Sequence, residues 1–302
     1  MKPEDIILKY YARKKDISKG RTEARFNETV SPCFPADGLG DTTIMTRVFT
    51  ASGGKVIPKS AGPHFDRVFS AVPGWRGSGN HKPLIVDVAQ ARLVWNIGAG
   101  HLIQRISRLM QLPFEPVPRP SVESKAKRVP GRVVIHCEPG ASAIWQSRHF
   151  HPTPRVIYPE NMEIIRKFAR SRRDLEWTTV GLSAVARWAQ PIKTLNATDL
   201  IDHMATCEWF VGIDSGPMHI ATSLGLKCIV IVNFPDPRTI VMPTLKVLGT
   251  MNEEWLYPQN VHLHQDGGTR LVPRFSERSL ARAFDGDVYP FWKTKWCNLL
   301  RS

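Results

Sequence analysis

A short polar segment, Asp214-Ser215-Gly216-Pro217-Met218-His219, follows an apolar run that ends at Ile213. Where a strand leads directly into a helix, the first N–H groups of the helix stay exposed, and the helix dipole adds positive potential there. Pro217 suits the first helical position because its missing N–H would have no intrahelical partner, and Gly225 suits the helix end. The segment therefore predicts an anion site that could hold a diphosphate.

Side chains of this segment could also contact such a ligand. Asp214 and Ser215 can hydrogen-bond the ligand or cap the helix, and His219, one turn further along, can donate to a phosphate oxygen. Gly216 lets a phosphate approach the backbone closely. The same residues equally suit an ordinary capped junction with a buried histidine, so the motif alone leaves both interpretations open.

Two other segments combine glycine with a polar residue after an apolar run. Gly38-Leu39-Gly40-Asp41-Thr42 follows residues 29–34, and Pro139-Gly140-Ala141-Ser142 follows residues 132–137. A carboxylate on a tight glycine turn, such as that of Asp41, can act as a general base toward a hydroxyl group. Alternatively, Asp41 can be the N-cap of a helix that we expect to begin near Thr42.

The order and spacing of the three segments resemble glycosyltransferase family 9, the heptosyltransferases, whose C-terminal signature reads roughly D-[ST]-G-x-x-H-x-A. The resemblance covers most of residues 30–240. It implies an α/β protein of the GT-B type, with two Rossmann-like doubly wound domains that face each other across a cleft. It also implies a nucleotide-sugar donor in the C-terminal domain, an acceptor in the N-terminal domain, inverting transfer, and Asp41 as the general base.

The resemblance further implies a set of binding residues. The donor-binding residues would be Gly140, Ala141, Ser142, Arg148, Asp214, Ser215, Gly216, Met218 and His219, and the turn near the base would contain Gly38, Gly40 and Thr42. Arg148 is included because family members usually carry a lysine after the proline-glycine turn, and Arg148 is the nearest cation here. A second departure is the first strand, which is short and interrupted by Pro32.

The elements that must position these residues alternate between strands and helices in the second half of the chain. The pattern predicts strands over 132–137, 177–181, 209–213 and 228–233, and helices over 159–173, from a cap at Thr198, and from Pro217 to Gly225. Leu200, Ile201 and Met204 should share the buried face of the second helix. This βαβ order indicates a parallel doubly wound sheet.

The first half is less regular, with strands expected over 29–34, 54–58 and 83–88 and a helix over 102–112. Prolines and cations concentrate over 112–130, which is typical of a linker. The predicted divisions are a basic N-terminal arm (1–28), an N-terminal Rossmann-like acceptor domain (29–120), a linker (121–131), and a C-terminal Rossmann-like nucleotide-sugar-binding domain with a C-terminal tail (132–302).

Basic residues are concentrated in the first half of the chain. The 302 residues include 41 Lys and Arg against 27 Asp and Glu, a net charge of +14. Residues 1–132 contain 22 basic and 11 acidic residues, net +11, which leaves 19 and 16, net +3, for residues 133–302. Single basic clusters are usually solvated surface, but an imbalance of this size favours an anionic partner.

Two anionic acceptors fit this charge. The favoured one is DNA that carries a hydroxymethylated base such as hydroxymethylcytosine, with its phosphates contacted by Lys14, Lys15 and Arg21. The target base would have to be flipped from the duplex to reach a buried base catalyst. The alternative, which the family resemblance favours, is the phosphorylated inner core of lipopolysaccharide. A sugar-nucleotide epimerase and a non-catalytic nucleic-acid-binding module are further alternatives.

Other classes of protein are disfavoured. No apolar run approaches the ~20 residues of a transmembrane helix, and the N-terminus lacks the apolar block of a signal peptide, so we expect a cytoplasmic protein. Gly38-Leu39-Gly40 lacks the third glycine of a dinucleotide-binding turn. Asp285-Gly286-Asp287 resembles a metal-binding D-x-D motif but better suits a polar turn. We expect metal-independent transfer, because the exposed N–H groups, the helix dipole and Arg148 would together offset the leaving-group charge. The nucleotide sugar would be a co-substrate, with no separate cofactor.

Overall fold

The computed structural model describes residues 39–51, 64–77, 122–137, 157–181, 186–213, 215–232, 261–264 and 275–285. The chain divides into two compact units: unit 1 comprises Met1–Glu123 with Ile240–Leu256, and unit 2 comprises Ser124–Thr239 with Tyr257–Ser302. The domain limits expected from the sequence stay predictions. The predicted arm and the predicted elements at 29–34, 54–58, 83–88 and 102–112 lie outside the described residues.

Unit 2 is built on a parallel sheet. Its strands are β1 (Arg132–His136), β2 (Glu176–Thr179), β3 (Gln190–Pro191), β4 (Trp209–Ile213), β5 (Lys227–Val232) and β6 (Val261–His264). They are arranged in the order β3-β2-β1-β4-β5-β6, and every neighbouring pair is parallel. Strands β1, β4 and β5 are mostly apolar because both faces of such a sheet are covered, whereas β2 carries Thr178 and Thr179.

The described helices are α1 (Leu39–Ala51) and α2 (Phe65–Ser70) in unit 1, and α3 (Pro159–Ser171), α4 (Ala197–Ala205), α5 (Gly216–Ser223) and α6 (Glu277–Phe284) in unit 2. Helices α2 and α6 were not predicted from the sequence. The alternation of strands and helices in unit 2 confirms the predicted α/β class.

One face of the sheet packs against α3 and α6. Phe168 of α3 and Phe284 of α6 stack with their ring centroids 4.8 Å apart. Phe284 also lies 4.7 Å, centroid to centroid, from Trp209 of β4. Val133 and Ile135 of β1 belong to the same core and are fully buried. Burial of these side chains holds both helices against the sheet.

The opposite face packs against α4 and α5. Ile201 and Met204 of α4 and Met218 of α5 are each at most 1% exposed. Thr222 Oγ1 of α5 lies 3.6 Å from Cys228 Sγ of β5, which joins this helix to the sheet. Helices therefore cover both faces, and the predicted doubly wound arrangement is confirmed for unit 2.

The N-cap of α4 differs from the predicted one. Asn196 Oδ1 accepts hydrogen bonds from the backbone N–H groups of Thr198 and Asp199 at 2.8 and 3.1 Å. The prediction of an N-cap at Thr198 was therefore wrong. Asn196, two residues earlier, has an extended backbone and a side-chain amide oxygen that accepts from the first turn. The predicted burial of Leu200, Ile201 and Met204 on one face is confirmed.

The C-terminal part of the predicted linker is bonded to unit 2. Arg128 Nη2 donates to the carbonyl of Leu224, just after α5, at 2.8 Å. The backbone N–H of Val129 donates to the carbonyl of Thr206, just after α4, at 2.8 Å. These bonds satisfy carbonyl groups at two helix ends and lead the chain directly into β1.

The described part of unit 1 is held by an aromatic cluster. Phe65 and Phe69 of α2 stack with centroids 4.4 Å apart, and Trp75 lies 4.8 Å from Phe69. Phe49 of α1 meets Phe69 edge to face at 5.6 Å. Since aromatic rings bury large apolar areas, this cluster fixes α1 against α2.

Candidate functional site

The strand order of unit 2 reverses between β1 and β4. From β1 the chain continues to β2 and β3 on one side, and from β4 it continues to β5 and β6 on the other. Ligands of open α/β sheets bind outside the carboxyl ends of the strands at such a reversal. Because β4 leads into α5, the segment Ser215–His219 lies at this point. Asp214, between them, lies outside the described residues.

Helix α5 begins at Gly216, with Ser215 as its N-cap in an extended conformation (φ −162°, ψ 169°). The Ser215 carbonyl accepts the first intrahelical bond, from the His219 N–H at 3.3 Å. Pro217 was predicted to be the first helical residue, but it is the second. At either position the N–H that proline lacks would have no intrahelical partner. Within the described residues, the Ser215 hydroxyl makes no capping bond to the first turn.

The Ser215 hydroxyl is bonded to the sheet. Its Oγ donates to the carbonyl of Ile213 at 3.1 Å and lies 3.0 Å from Nδ1 of His136, the last residue of β1. A hydroxyl has one proton and a carbonyl only accepts, so the bond to His136 requires a proton on Nδ1. The exposed fractions of Ser215 and His136 are 9% and 7%, which shields this pair from competing water.

Gly212 permits the close approach of β1 and β4 at this pair. It lies opposite His136 in the parallel register. A Cβ at Gly212 would lie 2.5 Å from the His136 carbonyl oxygen and 2.8 Å from the ring of Phe210. Any side chain at this position would therefore push the two strands apart at the point where the His136–Ser215 bond joins them.

His219 and Met218, both predicted to bind donor, are buried in α5. Their exposed fractions are 4% and 1%. Ser223 Oγ donates to the His219 carbonyl at 2.7 Å, and Thr222 Oγ1 donates to the Met218 carbonyl at 3.0 Å. A contact from Met218 to a ligand would thus come from its backbone, and the phosphate contact of His219 stays a prediction.

Helix α1 begins earlier than predicted. Gly40 and Asp41 are its second and third residues, so Gly40 does not lie on a turn and Asp41 is not the cap of a helix that begins near Thr42. Thr43 Oγ1 donates to the Leu39 carbonyl at 2.7 Å, which ties the first turn together. Thr42 is fully buried. The side chain of Asp41 is not described, and its role as general base stays a prediction.

The remaining predicted site residues lie outside the part of the chain that the structure describes. They are Gly38, Gly140, Ala141, Ser142, Arg148, Lys14, Lys15 and Arg21. Conversely, His136 was missed by the sequence interpretation. Its only sequence signal is its place as the polar last residue of an apolar run, directly before Cys137.

The three described cysteines, Cys137, Cys207 and Cys228, are free and buried. Burial raises the pKa of the Cys207 thiol, and it raises the pKa of Cys228 to about 12. Both therefore stay protonated near neutral pH, which makes them poor nucleophiles.

The described residues contain no group of three or more His, Cys, Asp or Glu side chains that could hold a metal ion. Asp285, of the D-x-D motif, is the C-cap of α6, where its N–H bonds the Ala281 carbonyl at 3.0 Å. None of the helices described is long and apolar enough to cross a membrane.

The family model "Glycosyltransferase family 9 (heptosyltransferase)" matches residues 192–251. This range contains α4, β4, α5 and β5, and hence Ser215 and the start of α5. The match confirms the resemblance that the sequence indicated. A comparison with curated proteins finds no match.

The solved structures that the chain matches include heptosyltransferases and a family 9 glycosyl transferase. The chain is 11% identical to E. coli heptosyltransferase WaaC with ADP-2-deoxy-2-fluoro heptose, over 53% of this chain and 57% of that one, with a TM-score of 0.31. It is 10% identical to E. coli heptosyltransferase WaaC with ADP, over 68% of this chain and 58% of that one, with a TM-score of 0.36. It is 12% identical to the family 9 glycosyl transferase of Veillonella parvula DSM 2008, over 81% of this chain and 77% of that one, with a TM-score of 0.34. The chain thus spans less than two thirds of the WaaC structures.

Proposed function

We propose that this chain, whose residues 192–251 match glycosyltransferase family 9, transfers a sugar from a nucleotide-sugar donor to a hydroxyl group of an anionic acceptor. The donor diphosphate binds at the start of α5, and Asp41 removes the proton of the attacking hydroxyl. The diphosphate leaves with the added charge of the broken sugar–oxygen bond, which the helix dipole and nearby N–H groups offset.

The start of α5 at the strand reversal is the observation that carries this proposal. Gly216, the first helical residue, has no side chain between its backbone and an approaching phosphate, and the helix dipole points its positive end there. Because the Ser215 hydroxyl bonds Ile213 and His136, it does not occupy the first turn. These features together suit a diphosphate.

Nucleoside diphosphate binding tests the donor site directly. ADP and UDP are titrated into the full chain by calorimetry, with Gly216→Val as the test variant and Ser223→Ala, in the last turn of the same helix, as the control. We expect Gly216→Val to weaken binding by about tenfold or more, equal to about 1.4 kcal/mol, and the control to bind normally. Equal affinity in both variants, or no binding by the wild-type chain, would contradict the proposed site.

The acceptor we favour is a hydroxymethylated base in DNA, with Lys14, Lys15 and Arg21 on its phosphates. The support for it is the net charge of +11 over residues 1–132, because phosphate contacts supply most of the affinity for DNA. The second candidate is the core of lipopolysaccharide, and the heptosyltransferase family match supports it. Release of an altered sugar without any acceptor would instead indicate an epimerase.

A further inference from the structure

We propose that His136 is a positioning residue of the donor site. Through its Nδ1–H it holds the Ser215 hydroxyl against the sheet, so that this hydroxyl does not cap α5 and the first turn is left to the donor diphosphate. The inference rests on the proposed function, which supplies the diphosphate. It adds to the predicted donor-binding residues a histidine of β1 that is 79 positions from Ser215 in the sequence.

A second serine at an N-cap of this chain, Ser276, offers a comparison. Ser276 begins α6, and its hydroxyl accepts the backbone N–H of Ser279 at 3.0 Å. This is the usual bond of an N-cap serine, whose oxygen satisfies an N–H group of the first turn. Ser215 is also an N-cap on extended backbone, with φ −162° against −83° for Ser276, and its hydroxyl bonds Ile213 and His136 instead.

The neighbouring strand β1 supplies the second partner of the Ser215 hydroxyl. His136 ends β1 beside β4, and the absence of a side chain at Gly212 brings the two strands close enough for the 3.0 Å contact. With the Nδ1 proton directed at Ser215 Oγ, the serine proton goes to the Ile213 carbonyl. The hydroxyl then donates to Ile213 and accepts from His136, and rotation of the side chain toward α5 would break both bonds.

Loss of the imidazole has a defined consequence. In His136→Leu the Ser215 hydroxyl loses one of its two partners and can turn toward the first turn of α5, where it competes with phosphate oxygens. We expect ADP and UDP to bind roughly three- to tenfold more weakly, the size of one net hydrogen bond. His136→Asn should restore affinity, since its side-chain amide N–H is as many bonds from Cα as Nδ1.

A double-mutant cycle separates positioning from general damage. If His136 acts through the serine hydroxyl, His136→Leu should weaken nucleotide binding in the wild-type chain and have no effect in the Ser215→Ala background. His203→Leu serves as the control, because His203 is another partly buried histidine, bonded to Thr178 of β2. That substitution should leave nucleotide affinity unchanged.

Titration calorimetry of the cycle with ADP and UDP, beside ¹⁵N NMR of the imidazoles in the wild-type chain, tests the inference. We expect a proton on His136 Nδ1 and an effect of His136→Leu that disappears without the Ser215 hydroxyl. An unprotonated Nδ1, or the same loss of affinity in both backgrounds, would overturn the positioning role and leave the donor site intact. Absence of nucleotide binding by the wild-type chain would overturn both. If His136→Leu does not fold, the protonation of Nδ1 and the nucleotide affinity of His136→Asn decide whether His136 positions Ser215.

Discussion

Asp41 has the carboxylate that the proposed transfer needs, and it also stands in the first turn of α1, where negative charge is favourable. We expect Asp41→Asn to lower kcat by roughly 10² to 10⁴, because a positioned general base contributes that much. Donor affinity should change little. Steady-state kinetics with saturating donor measure the effect.

The helix position of Asp41 supplies the control for this variant. Loss of its charge from the first turn should lower the free energy of unfolding by no more than about 1 kcal/mol. Near-normal kcat would show that Asp41 only stabilises α1. A variant that is largely unfolded would also undermine the catalytic role.

Glu208 gives unit 2 a specific acid sensitivity. Its Oε2 accepts the Gly131 N–H at 2.8 Å and its Oε1 accepts from Lys227 Nζ at 2.7 Å. The Gly131 hydrogen bond, followed by Lys227, lowers the pKa of Glu208 below its ordinary 4.5. A group with a lowered pKa adds stability above its ordinary pKa and loses it as the pH falls through the lowered value.

We therefore expect the melting temperature of the wild-type chain to fall as the pH drops below about 4.5, and Glu208→Gln to reduce this dependence. Melting curves between about pH 6 and pH 3 measure it. Glu163→Gln is the comparison and should reduce the dependence less, because the bond to Arg166 that lowers the pKa of Glu163 lies within the exposed surface of one helix, α3. The idea fails if both variants keep the full pH dependence of the wild-type chain.

For single residues, the sequence predicted Ser215 at the start of α5 but not the bond from His136 to it. Ser215 could be placed because a strand, a polar turn and a proline are adjacent in the sequence. The bond from His136 depends on β1 and β4 being neighbours, which no local pattern encodes. The same holds for Gly212. A side chain at this position would clash with β1, and the clash is evident only once β1 is known to lie beside β4.

The N-cap of α4 allows a prediction at the scale of one element. Asn196→Ala removes the acceptor for two N–H groups, so we expect the free energy of unfolding to fall by about 1 kcal/mol. Asn196→Asp should keep most of the stability, since a carboxylate accepts the same bonds. Denaturant unfolding of the wild-type chain and the two variants measures these free energies. An alanine variant as stable as wild type would mean that water replaces the cap without loss.

The elements that could be predicted are those with a long buried pattern. β4 was predicted with its observed bounds, because a central parallel strand is apolar throughout. β3 was missed: it has two residues, one of them Pro191, and exists only as an edge of the sheet. α6 was missed because its eight residues include only three buried ones, Leu280, Ala283 and Phe284.

For the whole molecule, the charge distribution predicts how an acceptor is held. If residues 1–132, with their net charge of +11, bind duplex DNA, affinity should fall steeply with salt, with a log–log slope near 0.9 for each phosphate neutralised. Affinity should also grow with duplex length, which a few clustered phosphates of a lipopolysaccharide core cannot produce. Binding to duplexes of increasing length at two ionic strengths measures both properties.

Matched charge variants identify the contacts. Substitution of Lys14, Lys15 and Arg21 by glutamine should flatten the salt dependence without changing nucleotide affinity. The control removes the same charge from exposed positions of unit 2, by substitution of Lys167, Arg170 and Arg173 by glutamine. Equal effects of the two triple variants would leave only a general influence of net charge. Failure to bind any duplex at low salt would contradict the DNA acceptor.

Mass spectrometry of the two candidate acceptors shows whether the chain transfers a sugar and to which of them. Hydroxymethylated DNA and lipopolysaccharide core are each incubated with the chain and a panel of nucleotide sugars, with and without EDTA. We expect hydroxymethylated DNA to gain one glycosyl residue, nucleoside diphosphate to be released in equal amount, and EDTA to leave the yield unchanged. Transfer to the core alone would support a glycosyltransferase and exclude DNA as its acceptor. If nucleotide sugar is bound or isomerised and neither acceptor gains mass, the chain is not a glycosyltransferase for these acceptors.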